Sequence, residues 1–494
     1  MTAPDQMRPT PPVRVIRRPE DLDRTVLAGV ARGAVRVELA AELTAALSRS
    51  RRATLADLTG RTVYGVNTGL GAMSGLRLDD AAQSHHQDNL MLGRAVGSAP
   101  WLRRDQARAL LAARLRTLLH PAAGVSAELC GFLADLLRTD LVPAIPARGS
   151  GAAGEIIPLA HAGAVLLGGG QVLDEAGAAA DAEPALAKAG LTARSFGPKE
   201  GIAFLEGVPG LTGLAVLAGV ATRDLLGQVV TGTAAAHTAI RASPDPLHPA
   251  LADSDELATV LAGLRALRGD GAAGALQAPV SFRVTAPALA VAGRAVAALD
   301  AAADRALSAV TDSPAHLDGE FVGTFGFAGT DLTAALGTLT AALVHLADLG
   351  AARLHRLLDP RVTGLAPQLS PAPGLHAGLA AVHKRAAAVT HRLRRFAAPA
   401  LTGAIETSLG QEDVQSFGFE AAECLDEALN GLREVLACEL LAVIQAQRLG
   451  APRSPGLDAL DAALPAGTAD RPFGRDLDTI IELLAGGGLT GRAG

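Results

Sequence analysis

The sequence predicts a mainly α-helical fold, a loop-rich N-terminal part followed by a long central helical bundle, and three observations carry that reading. Leu332, Leu336, Leu339, Leu343 and Leu346 recur at alternating steps of four and three, the period that lines one face of a helix. A second stripe, Leu425, Leu429, Leu432, Leu436 and Leu440, runs through "EAAECLDEALNGLREVLACELLAVIQAQ" (420–447), which holds no proline. A helix of about 28 residues would extend roughly 42 Å, a length suited to a bundle. Strand signals are few and isolated: "AVRVEL" (34–39) and "RTVYGV" (61–66) alternate or branch suitably but have no neighbours of their kind.

Along the chain, the first stretch, "MTAPDQMRPTPPVRVIRRPEDLD", mixes prolines with both charge signs where a secretory signal needs a continuous apolar run, so residues 1–24 are expected to form a flexible leader. Residues 25–200 follow as an active-site-loop region and 201–494 as the long-helix region. Glycine and proline concentrate at 65–75, 143–158, 207–213 and 311–329, each a loop between helical patterns. The apolar window "PLAHAGAVLLGGGQVL" (158–173) is short, glycine-rich and interrupted by His161, so no membrane span is expected.

Hydrophobic residues make up 49% of the 494 and charged residues 19%, which argues for a folded core and against wholesale disorder. A net charge of -6 argues against a nucleic-acid partner, which requires a dominant basic face. The basic run "HKRAAAVTHRLRRF" (383–396) reads as a solvated or inter-subunit helix face. Cys130, Cys424 and Cys438 have no paired spacing, which suits a reducing, cytoplasmic compartment. Neither HExxH nor a cysteine pair offers metal-ligand spacing, and His376, His383 and His391, at steps of seven and eight, lack carboxylate partners; no metal is expected. No phosphate-binding or dinucleotide-binding glycine motif calls for a nucleotide or flavin.

The stretch "VYGVNTGLGAMSG" (63–75) contains the only tyrosine, Tyr64, among glycines. A phenol becomes a useful base only where charge or hydrogen bonds stabilise its anion, and a lone tyrosine on a glycine-rich loop is more often structural. His85, His86 and His161 are read as capping, packing or surface groups.

Seven motifs occur in order: "VARGAVRVEL" (30–39), "VYGVNTGLG" (63–71), "HQDNLML" (86–92), "GAAGEIIPLAH" (151–161), "PKEGIAFLEG" (198–207), "SFR" (281–283) and "IETSLGQEDVQSFG" (405–418). Together they resemble the histidine and aromatic amino acid ammonia-lyase family over residues 25 to 450. The resemblance implies an ammonia-lyase-like, mainly helical homotetramer with active sites shared between subunits, and a methylidene-imidazolone electrophile made from an Ala-Ser-Gly triplet. It further implies that Tyr64 is the acid or base for the β-proton and that Arg283 binds the substrate carboxylate. Gln277, Gln411 and Glu412 match further active-site positions, Glu412 as a catalytic group. Asn67, Gly71, Arg94 and Phe325 are expected to contact substrate.

Departures from the pattern cluster around the electrophile. Ala152, Ala153 and Gly154 stand over the triplet, and the methyl of Ala153 has no hydroxyl to lose as water, so no methylidene-imidazolone is expected. Glu155 replaces an aspartate, Glu206 an asparagine and Val280 a tyrosine. Gly323, Thr324, Phe325 and Gly326 replace a Gly-Asn-Phe-His pattern, and Gly93 and Arg94 occupy the substrate-selecting pair. Ser150 has an ordinary counterpart upstream of the triplet, so a shifted Gly149-Ser150-Gly151 triplet is disfavoured. Glu206 is read as pairing with Arg94, as a second acid/base group, as a receiver of a cationic substrate group, or as turned to solvent. The expectation is a lyase-type enzyme, independent of the prosthetic group and of other cofactors, performing elimination, addition or cyclisation on a carboxylate-bearing, amino-acid-like small molecule. The alternatives are an ammonia-lyase inactivated at its triplet and a non-catalytic scaffold.

Overall fold

A computed structural model describes residues 11–151 and 153–489. The protein is mainly α-helical, as the leucine periodicity requires. Its longest helices are Pro209–Ala239 and Gly418–Arg448, of 31 residues each, Thr330–Leu357, of 28, and Thr285–Ser308, of 24. Both leucine stripes are buried along their full length. Each buried leucine contributes about 1.5–3 kcal/mol of transfer free energy, which fixes these helices as core elements.

The chain divides into two compact units, each built from three segments: 1–217, 300–334 and 400–423 form one, and 218–299, 335–399 and 424–494 the other. Residues 201–217 therefore belong with the N-terminal unit, which also holds loops 311–329 and 400–418. The leader expectation also changes. Residues 1–10 lie outside the described residues, whereas Val13–Ile16 pairs in parallel with Arg36–Leu39, and Ile16 and Leu22 are fully buried.

In the first unit the helix Arg104–Leu118 is the central element, buried over nearly all its length. The start of the helix Pro209–Ala239 lies against it so closely that a Cβ at Gly213 would sit 2.7 Å from the carbonyl carbon of Ala109. Besides the parallel pair, this unit holds a small antiparallel sheet (Val142–Pro143, Gln171–Leu173, Ala179–Asp181) and a hairpin, Ala315–Leu317 with Glu320–Val322. The predicted strand at 61–66 is instead a turn. Gly65 takes a left-handed φ of +65°, and Asn67 closes the turn, its Oδ1 accepting from Val63 N at 2.7 Å and its Nδ2 donating to Arg61 O at 2.7 Å.

In the second unit Arg353 and Glu439, both 1% exposed as side chains, form a two-point ion pair at 2.6 and 2.8 Å, and Arg353 also donates to Thr285 Oγ1 at 2.7 Å. His376 precedes the helix Ala380–Leu393 that carries His383 and His391, and unlike the sequence expectation it has an acidic neighbour: its Nδ1 accepts from Asp470 N at 3.3 Å and lies 3.7 Å from the Asp470 carboxylate. Among the described residues three stretches, Glu200–Ala239, Thr285–Ser308 and Gly326–Leu357, are long and apolar enough to cross a membrane, a length the 158–173 window lacks. Burial accounts for the first, whose apolar window is 94% inside the protein.

Candidate active site

The first unit holds an open cavity of about 580 Å³, a small-molecule volume, lined among others by Tyr64, Gly71, Ala153, Glu206, Gln411 and Glu412. The structure thus brings together six of the predicted site residues, from four segments far apart in sequence, whereas Arg94, Asn67, Gly154, Phe325, Gln277 and Arg283 do not line this cavity.

Tyr64 is placed by its turn and by the segment after it. Its hydroxyl accepts the backbone N–H of Gly71 at 2.9 Å. Behind the turn, Gln87, 2% exposed, donates to Gly65 O at 3.0 Å and accepts from Ile202 N at 3.0 Å, tying the tyrosine loop to the helix Glu200–Leu205. Burial raises the Tyr64 pKa, the Gly71 amide lowers it, Glu206 and Glu412 raise it further and Arg94 offsets them in part. At rest Tyr64 is therefore a neutral phenol.

Glu206 follows the helix Glu200–Leu205, is 8% exposed, and has no hydrogen-bond partner for its carboxyl group among the described residues. Burial pushes its pKa up to about 8, with Asp312 and Glu412 adding to the rise and Arg114 and Arg94 opposing it. A buried carboxyl without a partner holds its proton, because the neutral form costs far less to desolvate. Arg94 does not pair with it; the guanidinium donates to Leu90 O at 3.4 Å and acts on Glu206 only through space.

Behind the cavity lies a charged group the sequence reading missed. Arg114, fully buried and lowered to about 10 by burial, donates to Ala203 O at 3.1 Å and to Glu206 O, with Glu155, Asp312 and Glu206 offsetting its desolvation. Lys199 pairs with Asp312 at 2.9 Å, both buried. Glu155 accepts from Gly210 N and Leu211 N, each at 2.6 Å, and so caps the helix Pro209–Ala239 at its positive end. Burial raises Glu155 to about 7, against those two amides and Arg114. The available signal was an arginine inside "ALLAARL", where every neighbour is apolar.

Glu412 is braced from three sides: Oε2 accepts Ala153 N at 3.0 Å and Thr407 Oγ1 at 2.9 Å, and Oε1 accepts Ser408 Oγ at 3.0 Å. Ala152 lies outside the described residues. Gly154 has φ +123°, and Ala153 lines the cavity. These residues do not fit the methylidene-imidazolone that the resemblance implies, since the side chain at 153 carries no oxygen to eliminate and its backbone N–H is donated to Glu412.

Three expectations change. Asn67 spends both ends of its amide on its own turn and does not line the cavity. Phe325 is 89% exposed, and Phe327, two residues on, lines the cavity in its place. Arg283 and Gln277 lie in the second unit, where Arg283 donates to Gln277 Oε1 at 3.1 Å and both line a cavity of about 560 Å³ with Asp245, Leu276 and Val280. His237 supports that segment, its buried ring bonded through Nε2 to Phe282 O at 3.1 Å.

A family model described as aromatic amino acid lyase matches residues 22–466. Histidine ammonia-lyase from Anaeromyxobacter dehalogenans (strain 2CP-C) is 32% identical over 502 aligned positions, covering 95% of this chain and 98% of that protein. Histidine ammonia-lyase from Sorangium cellulosum (strain So ce56) is 31% identical, covering 93% and 95%. Among solved structures, tyrosine aminomutase from Streptomyces globisporus superposes with a TM-score of 0.91 at 26% identity, covering 97% of each chain. Ergothionase from Treponema denticola, an ergothioneine degrading enzyme, shares the fold with a TM-score of 0.91 at 22% identity, covering 97% of this chain and 99% of that one. With its fold, ordered motifs and full-length similarity, the chain belongs to the aromatic amino acid lyase family.

Proposed function

We propose that this protein is a lyase-type enzyme that works without methylidene-imidazolone, catalysing elimination, addition or cyclisation on a carboxylate-bearing, amino-acid-like substrate through Tyr64. The observation that carries this reading is the position of the chain's only tyrosine, its hydroxyl held by Gly71 N in a cavity shared with Glu206 and Glu412. Tyr64 starts as the acid; it serves as the base once positive charge in the cavity offsets the two carboxyl groups. Glu206, protonated near neutral pH, is the second proton-carrying group. Arg283 takes the substrate carboxylate, as the family resemblance implies, and its planar fork suits two-point pairing; the same resemblance implies active sites shared between the subunits of a homotetramer.

Lacking a protein-made electron sink, the enzyme depends on a substrate that brings its own activation, a good leaving group or an unsaturated or carbonyl function next to the carbon that loses its proton. A panel of zwitterionic amino acid derivatives, followed by proton NMR, finds the converted compound. Tyr64→Phe then abolishes its conversion while leaving its binding intact. Unchanged conversion in that variant would refute the reading and leave the scaffold alternative.

A further inference from the structure

The Tyr64 cavity is one-sided in charge. Glu206, Glu412 and Asp413 line it, and no lysine, arginine or histidine does so among the described residues. Glu412 is satisfied by Ala153 N, Thr407 and Ser408, but Glu206, 8% exposed as a residue, lines the cavity with no hydrogen-bond partner for its carboxyl group among the described residues. A buried polar group left unpaired costs free energy that a bound ligand can return. Three aromatic side chains, Tyr64, Phe321 and Phe327, line the same cavity, in a chain that is only 3% aromatic. Carboxyl groups combined with ring faces suit an organic cation, whose charge interacts with both.

Resting on the reading of this cavity as a substrate site, we infer that it is a cation subsite, with Glu206 receiving the ammonium group of a zwitterionic substrate. The positive end of that substrate then enters the cavity that Tyr64, Phe321 and Phe327 line. Occupation by a cation also draws the proton off Glu206. The groups that act on Glu206 are Asp312, Glu412, Arg114 and Arg94, and a fresh positive charge in the cavity adds to the two arginines in favouring the carboxylate. Cation binding is therefore coupled to release of one proton to solvent. By linkage, affinity climbs toward about tenfold per pH unit below the Glu206 pKa and levels off above it.

The test uses the full-length protein and a matched pair of probes: choline, and the neutral alcohol in which a tert-butyl group replaces the trimethylammonium. Calorimetric titration is run about one unit below and one unit above pH 8, the Glu206 value, in buffers of different ionisation enthalpy. Choline is expected to bind at least about tenfold tighter than its isostere above that pH, to release close to one proton below it, and to lose both properties in Glu206→Gln. Equal binding of the two probes, or a choline preference that is independent of pH and survives Glu206→Gln, overturns the subsite. The probe pair needs no variant, so a Glu206→Gln protein that fails to fold leaves the decision to the wild type. Tyr64→Phe separates the two proposals: unchanged turnover there overturns the tyrosine chemistry while a choline preference stands, and lost turnover with no choline preference overturns the subsite alone.

Discussion

The Tyr64 hydroxyl accepts the backbone N–H of Gly71 at 2.9 Å, so the one phenol in the chain is held by the loop it belongs to, seven residues on. That bond leaves the hydroxyl proton directed elsewhere, which makes Tyr64 a donor toward the cavity. Removing the hydroxyl in Tyr64→Phe is expected to lower kcat by about 10²–10⁴-fold, the usual contribution of a positioned acid or base. Single-turnover kinetics on the compound found by panel screening measure it, with binding checked separately by calorimetry.

Asn67 gives a sharper discrimination. Its amide ties Val63 N and Arg61 O together within the turn that carries Tyr64. Asn67→Ala should therefore lower kcat, because the phenol loses its placement, and leave KM nearly unchanged. A raised KM with an unaltered kcat would instead return Asn67 to the substrate-binding role first expected for it.

Glu206 predicts a pH dependence of stability. Its pKa is 4.5 in an ordinary setting and about 8 in the folded protein. Between those values the unfolded chain has released the proton and the folded chain has not, so stability falls as pH rises from 4.5 to 8 and is level above. Glu206→Gln removes that dependence, and its advantage over wild type should grow across the same window to the order of a few kcal/mol. Urea denaturation at a series of pH values reads it. Glu155, raised to about 7, slopes the same way in both proteins and cancels in the comparison.

Ala153→Ser places a hydroxyl at the position where the family resemblance implies the serine of the electrophile-forming triplet. The variant should still fail to deaminate histidine, phenylalanine or tyrosine, because Glu155, Glu206 and the Ala153 N–H to Glu412 contact remain as they are. Ultraviolet detection of the unsaturated acid products decides this, and intact mass spectrometry of the unaltered protein should show no loss of two waters around 149–154.

The Arg353–Glu439 pair tests the second unit. Arg353→Met strands a carboxylate with 1% exposure and should destabilise the protein by about 3–5 kcal/mol, whereas pairing it with Glu439→Leu should recover most of that loss. Urea midpoints of the single and double variants provide the comparison.

How far the sequence could be read follows from the range of the interactions involved. The helix Gly418–Arg448 was legible because its leucines repeat with the local backbone period, and each residue reports its own face. The turn at 61–67 was not: Val63, Tyr64 and Val66 carry a strand-like pattern, and the outcome is set by Gly65 in a left-handed conformation and by two bonds to one asparagine side chain. Phe325 and Phe327 differ by two positions in a loop without periodicity, so motif matching selected the exposed one. Glu155 and Arg114 take their roles from partners at residues 203–211, a separation that no local pattern encodes. Glu206 stood out only as a departure from the family pattern, and only its burial beside Asp312 and Glu412 shows why that departure carries a proton.

A sole phenol seated in the cavity is also a built-in optical probe. Alkaline difference spectra of this protein follow one chromophore of that kind, so the ionisation curve belongs to Tyr64 without labelling or subtraction of other sites. Any compound that places positive charge beside it should bring the onset of phenolate absorption to lower pH, which turns a plate-reader scan into a way of finding what this enzyme acts on.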